Sequence, residues 1–163
     1  MSKYDELCDA VLLNEAETSK YFEESVTFAS ALIRELTGYL EIPKDRILFV
    51  PPQEGSEGVR GLTLPGAMEQ NEDSYWHLGV QINLTQDPNS LPQKAIIVRI
   101  RFKKDDDKFV VLLENTDGQF TLSAAEKSGI REFCDFVYSQ IKDTYEKNLS
   151  RCLGKDEARE MGF

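Results

Sequence analysis

Apolar and polar residues alternate most regularly along Tyr75-Trp76-His77-Leu78-Gly79-Val80-Gln81-Ile82-Asn83-Leu84, and this period of two predicts a half-buried antiparallel strand. Trp76, Leu78, Val80, Ile82 and Leu84 form its inward face, and Tyr75, His77, Gln81 and Asn83 point outward. The stretch Ala95 to Glu114 reads as a hairpin. Lys104 to Asp107 as a tight loop sets Phe102 opposite Phe109, Ile100 opposite Val111 and Val98 opposite Leu113, on one wholly apolar face. The other face carries Arg99, Arg101, Lys103 and Lys108 among Ile97, Val110 and Leu112. Shorter strands are predicted at Arg46 to Val50 and, after a reversal at Asp117-Gly118, at Gln119 to Leu122.

Toward both ends the period changes to that of a helix. Tyr4, Leu7, Cys8, Val11 and Leu12, then Phe22, Val26, Ala29, Ile33, Leu36 and Leu40, predict two amphipathic helices or one bent one. The break is expected near Asn14 to Ser19, and Gly38 and Pro43 mark the far end. Ser123-Ala124-Ala125-Glu126 has the form of a capping box, and the stripe Ile130, Phe133, Cys134, Val137, Ile141, Tyr145, Leu149 that follows predicts a long helix. About 27 helical residues span roughly 40 Å, whereas five strands make a sheet only about 24 Å wide. Tyr145, Leu149 and Leu153 are therefore expected to overhang the sheet and to need cover from the N-terminal helices or from a second subunit, and self-association through this end is predicted.

Residues 51 to 73 are rich in Gly, Pro, Glu and Gln, interrupted only by Val59 to Leu64. They read as a functional loop, a disordered excursion or a hidden edge strand, and as the most mobile internal segment. Thr85 to Gln93 supplies turn chemistry. The whole order predicts an α+β fold: an antiparallel sheet of four to five strands flanked by two N-terminal helices and one long C-terminal helix. One domain covers residues 1–153, and residues 154–163 form a flexible polar tail.

Composition narrows the functional classes. At 163 residues with 40% hydrophobic content, the chain can build one core. A formal charge of -10 argues against nucleic acid phosphates and anionic membranes as partners and suits proteins or peptides. The acidic N-terminus lacks a long apolar segment and no run approaches the roughly 20 apolar residues of a membrane-spanning helix, so a cytoplasmic location is expected. Cys8, Cys134 and Cys152 are odd in number and far apart, which predicts reduced thiols, with Cys134 buried in its helix stripe.

The candidate chemistry is sparse. His77 is the only histidine, no Gly-x-Ser-x-Gly elbow is present, and no Cys/His spacing suits zinc. Asp105-Asp106-Asp107 is a charged turn, because consecutive residues cannot all point at one calcium ion. Gly55 to Gly61 lacks the Lys-Ser/Thr ending of a phosphate loop, and Gly58-Val59-Arg60-Gly61 matches only the bare G-x-x-G of nucleic-acid-binding KH domains. No catalytic residue, metal site or cofactor is assigned. The remaining constellation is Tyr75, His77, Gln81, Arg99 and Arg101 on the mixed face, read as a binding surface. It predicts a non-catalytic cytoplasmic domain, homodimeric, that binds a protein or peptide partner in a chaperone-like, immunity-like or adaptor role. Secretion chaperones and immunity proteins are similar to this chain in size and charge. The alternative is a small-molecule-binding domain or enzyme, with His77 as acid/base and Arg99 or Arg101 holding an anionic ligand in a pocket.

Overall fold

Residue Ser2 opens the first helix with a reciprocal cap: its hydroxyl accepts from the Asp5 N–H at 3.1 Å, and its own N–H donates to the Asp5 carboxylate at 3.1 Å. From there α1 (Lys3–Tyr39) runs 37 residues without a break, about 55 Å at 1.5 Å per residue. The computed structural model describes residues 2–51, 62–84 and 94–152, and the side chains of Lys94 and residues 148–152 are outside that description. The interruption expected at Asn14 to Ser19 does not occur; Asn14, Thr18 and Ser19 lie within the helix, where their modest propensity is outweighed by the continuing turns. The helix ends one residue after Gly38. Ile42 N–H donates to the Thr37 carbonyl at 3.0 Å and Glu41 N–H to Gly38 at 3.3 Å, with Glu41 in the left-handed region at φ 56°.

Among the described residues six strands follow: β1 (Ile47–Val50), β2 (Glu69–Gln70), β3 (Trp76–Leu84), β4 (Lys94–Asp105), β5 (Lys108–Leu113) and β6 (Gln119–Leu122). A single-turn helix, α2 (Leu64–Ala67), precedes β2, and α3 (Lys127–Cys152) is the last described element. All pairings are antiparallel, in the order β1-β3-β4-β5-β6, and β2 extends the β1 edge by pairing with the start of β3. The class is α+β, as the alternation predicts. In the segment expected to be irregular, the described part from residue 62 holds α2 and an edge strand. Leu64, Ala67 and Met68 are buried there, so this part is built into the core. The glycine pattern of residues 55–61, the turn of residues 85–93 and the tail of residues 154–163 lie outside the described residues.

The β4–β5 hairpin differs in register from expectation. Asp105 pairs with Lys108, so the turn is the two residues Asp106-Asp107, with Asp106 at φ 56°. Phe102 consequently faces Val111 and Ile100 faces Leu113, a slip of two positions that keeps every side chain on its expected face. Lys104 joins the strand opposite Phe109 and reaches the Glu24 carboxylate of α1.

Both long helices lie on one sheet face. Phe28, Leu32 and Leu36 of α1 and Ile130, Phe133, Cys134 and Val137 of α3 share a core with Val80, Val98, Ile100, Phe102, Val111 and Leu113. Phe28 stacks on Phe109 at 4.2 Å between centroids, and Phe133 meets Phe120 edge-on at 5.4 Å. Burial pushes the Cys134 thiol up to about 11, as suits an inert core cysteine. The Ser123 sequence does not form the predicted capping box. Ser123 instead closes a turn, accepting from Ala125 N–H at 3.3 Å on its hydroxyl and from Glu126 N–H at 3.0 Å on its carbonyl, and α3 begins at Lys127. Tyr145 is half-buried against the core, and the Leu149 side chain and Leu153 lie outside the described residues.

Candidate functional site

Three surfaces carry chemistry beyond core packing. The first is the sheet face opposite the helices, where cross-strand pairing sets His77 beside Arg101, Gly79 beside Arg99 and Gln81 beside Ile97. The close approach of β1 depends on Gly79, because a Cβ there would lie 2.6 Å from Val50 Cγ2 and 3.0 Å from the Val50 carbonyl. This face is not the solvated surface expected from alternation: Val50, Ile97, His77 and Gln81 are all buried.

The turn from β2 to β3 folds Asp73 over this face, helped by Ser74 at φ 68° and by Tyr75 N–H donating to Asp73 Oδ1 at 3.0 Å. His77 Nε2 lies 3.1 Å from Asp73 Oδ2, and its Nδ1 lies 3.4 Å from Glu114 Oε1. Arg101 approaches the same two carboxylates, with Nη1 at 3.5 Å from Asp73 and Nε at 3.7 Å from Glu114. Two cationic-type groups and two carboxylates thus alternate around a closed ring. The Tyr75 ring lies beside it, 5.7 Å from the Arg101 guanidinium carbon and 5.1 Å from Lys103 Nζ.

Tyr75, His77 and Arg101 are therefore brought together, as the alternation of β3 and β4 implies. Gln81 lies further along the strand and donates to Asn83 at 3.1 Å, and Arg99 lies opposite Gly79. The partners missed at the sequence level are Asp73 and Glu114. Their only sequence signal was acidity near turns, which is common to many surface residues. The ring's chemistry is that of a clamp. Both imidazole nitrogens face carboxylates, so neither is directed at a substrate proton. Among the described residues no group of three or more His, Cys, Asp and Glu side chains is arranged to hold a metal ion.

Partial burial opposes ionisation of Asp73, but the Tyr75 N–H, His77 and Arg101 outweigh it and hold its carboxyl below the usual range. A carboxyl lowered on folding contributes stability that is present above its unfolded value and lost as pH falls through the folded one. Acidification below the ordinary carboxylate range is expected to loosen the β2–β3 turn. Asp73→Asn is expected to remove that step from the pH dependence of unfolding, and an unchanged acid profile would show that the ring contributes nothing to it.

The second surface is an apolar groove of about 270 Å³ between the end of α1, the ends of β3 and β4, and the middle of α3, lined by Leu40, Ile42, Ile82, Leu84, Ile96, Tyr138 and Ile141. Lys142 stands at its edge, 5.9 Å from the Tyr138 ring. An adjoining hollow of about 220 Å³ shares Leu40, Ile42, Ile82 and Leu84. Leu84, predicted as inward, occupies the helix-facing side but lies at the strand end and is 43% exposed.

The third surface is the start of α1. Every residue from Ser2 to Lys20 is exposed, including Tyr4 at 74%, Leu7 at 66% and Val11 at 55%. With about 100° per residue, Tyr4, Leu7 and Val11 continue the same helix face that carries Phe28, Leu32 and Leu36 into the core. Asp5, Glu6 and Asp9 occupy the opposite side. No protein-family model, no curated protein and no solved structure matches this chain.

Proposed function

We propose that this chain is a non-catalytic protein-binding domain that presents residues 3–20 of α1 as an acidic, amphipathic recognition arm. One observation carries the reading. The core-facing stripe of α1 continues through Tyr4, Leu7 and Val11 with nothing of the described fold beneath it. About 18 residues of helix are marginal alone in water, so such an arm gains most of its order from what it packs against. Helix-in-groove recognition uses anchors at i, i+3 or i+4 and i+7, the spacing of Tyr4, Leu7 and Val11. The overall charge of -10 fits a partner whose groove has a basic rim. The His77–Arg101 ring supports the non-catalytic side of the reading, because both imidazole nitrogens and the Arg101 guanidinium are ion-paired with Asp73 and Glu114.

Amide exchange on dilute protein tests the arm. Amides of residues 4–13 are expected to exchange orders of magnitude faster than those of residues 28–36, because opening of the arm costs little and opening of the core segment approaches global unfolding. Equal protection in both segments would show that the arm is held by the fold itself.

A further inference from the structure

Asp73 presents both carboxylate oxygens to one edge of the His77 ring, with Oδ1 at 3.2 Å and Oδ2 at 3.1 Å from Nε2. A carboxylate only accepts, so Nε2 carries a proton, and the nitrogen that gains or loses one is Nδ1. Nδ1 faces a second acceptor, Glu114 Oε1, at 3.4 Å. The same oxygen lies 3.7 Å from Arg101 Nε, a buried donor with no hydrogen-bond partner among the described residues. One carboxylate oxygen thus stands between two donor positions and completes a hydrogen bond to neither.

We propose that the ring is a proton-dependent clamp in which the charge state of His77 decides where Glu114 binds. With Nδ1 protonated, the imidazolium bridges Asp73 and Glu114 and ties the β2–β3 turn to the end of β5. With Nδ1 bare, its lone pair opposes the carboxylate, and Glu114 closes onto the buried Arg101 Nε–H beside it. Asp73 stays in place in both states, because the Tyr75 N–H, the His77 Nε2–H and Arg101 Nη1 hold it independently of Nδ1. By register, the neighbouring charged groups on this face are Glu69, opposite His77 on β2, and Arg99 and Lys103, which flank Arg101 on β4. The Tyr75 ring lies against Arg101 and Lys103. His77 is buried, so its neighbours rather than bulk water decide which of its hydrogen bonds are met.

His77 is the only histidine, so its ring signals in a spectrum of the full chain belong to one residue. Heteronuclear NMR of the wild-type protein from about pH 5 to about pH 9 is expected to show Nε2 protonated throughout and Nδ1 alone losing its proton. The Arg101 Nε–H resonance, assigned by its loss in Arg101→Lys, is expected to move downfield over the same interval as its hydrogen bond to Glu114 forms. In Glu114→Gln the side-chain amide can donate to a bare Nδ1, so His77 is expected to bind its proton at least about threefold more weakly than in the wild type. That variant also removes a charge, and the Arg101 signal separates the two effects: in Glu114→Gln it is expected to stop following His77. A neutral His77 with its proton on Nδ1 would overturn the proposal, and so would an Arg101 Nε–H that ignores the titration of His77 in the folded wild-type protein. Proton binding unchanged in Glu114→Gln, with circular dichroism confirming its fold, would overturn it as well.

Discussion

Replacing Phe28 with alanine is expected to cost about 3–5 kcal/mol of folding stability, the range for a buried phenylalanine truncated in a packed core. Phe28 is 1% exposed, stacks on Phe109 at 4.2 Å and meets Phe102 at 5.8 Å, so it joins α1 to the β4–β5 hairpin through two aromatic contacts. Nothing nearby can refill the space, because Phe102 and Phe109 are fixed in opposite strands of the sheet. For a chain of this size the loss corresponds to a fall in Tm on the order of 10 °C. Calorimetry or a thermal melt checks it, and a fall below about 2 °C would mean that α1 is held elsewhere.

The opposite outcome is expected a few turns earlier on the same face. Leu7→Glu with Val11→Glu should leave the melt within about 0.5 kcal/mol of wild type, since both sites are exposed and glutamate is a good helix former. The same pair should remove recognition, because two glutamates in an apolar groove are charges taken out of water without partners. The expected loss of binding is at least about a hundredfold, or roughly 3 kcal/mol. A melt lowered by several degrees would place these residues in the fold rather than in an interface. The contrast between Phe28 and Leu7 matters more than either value: one continuous stripe has a buried half and an exposed half.

That division was partly legible in the sequence. The helical period from Tyr4 to Leu40 was plain, and so was the comparison of helix length with sheet width. Read with a break at Asn14 to Ser19, both N-terminal helices are shorter than α3, which has the longest apolar stripe. Polar residues of modest propensity do not end a helix when no proline, glycine or competing cap follows, and the undivided α1, at about 55 Å, has the greater overhang. The strands were legible by parity. A hairpin register wrong by two residues still puts Phe102, Phe109 and Val111 in the core, because side chains repeat every two positions. Local turn chemistry chose between the registers, and the two-residue Asp106-Asp107 turn won over the four-residue loop.

The mixed face was legible in its members and not in its state. Alternation placed Tyr75, His77 and Arg101 together, but pairing does not say which loops return over a face. Asp73, four residues before His77 in sequence, comes back over the ring through a left-handed turn at Ser74. Glu114 arrives from the far end of β5, bound through its N–H to the Arg99 carbonyl at 3.0 Å. With those two carboxylates present, Arg101 is paired with acid rather than presented as a free cation.

Photo-crosslinking resolved by helix face tests the arm most directly. A benzophenone side chain placed at Leu7 or Val11 of the full chain should crosslink to a protein partner, whether a second copy or another chain, whereas the same probe at Asp9, on the opposite side of the helix, should not. Crosslinks of equal yield from both faces, or none from the stripe, would contradict recognition by Tyr4, Leu7 and Val11.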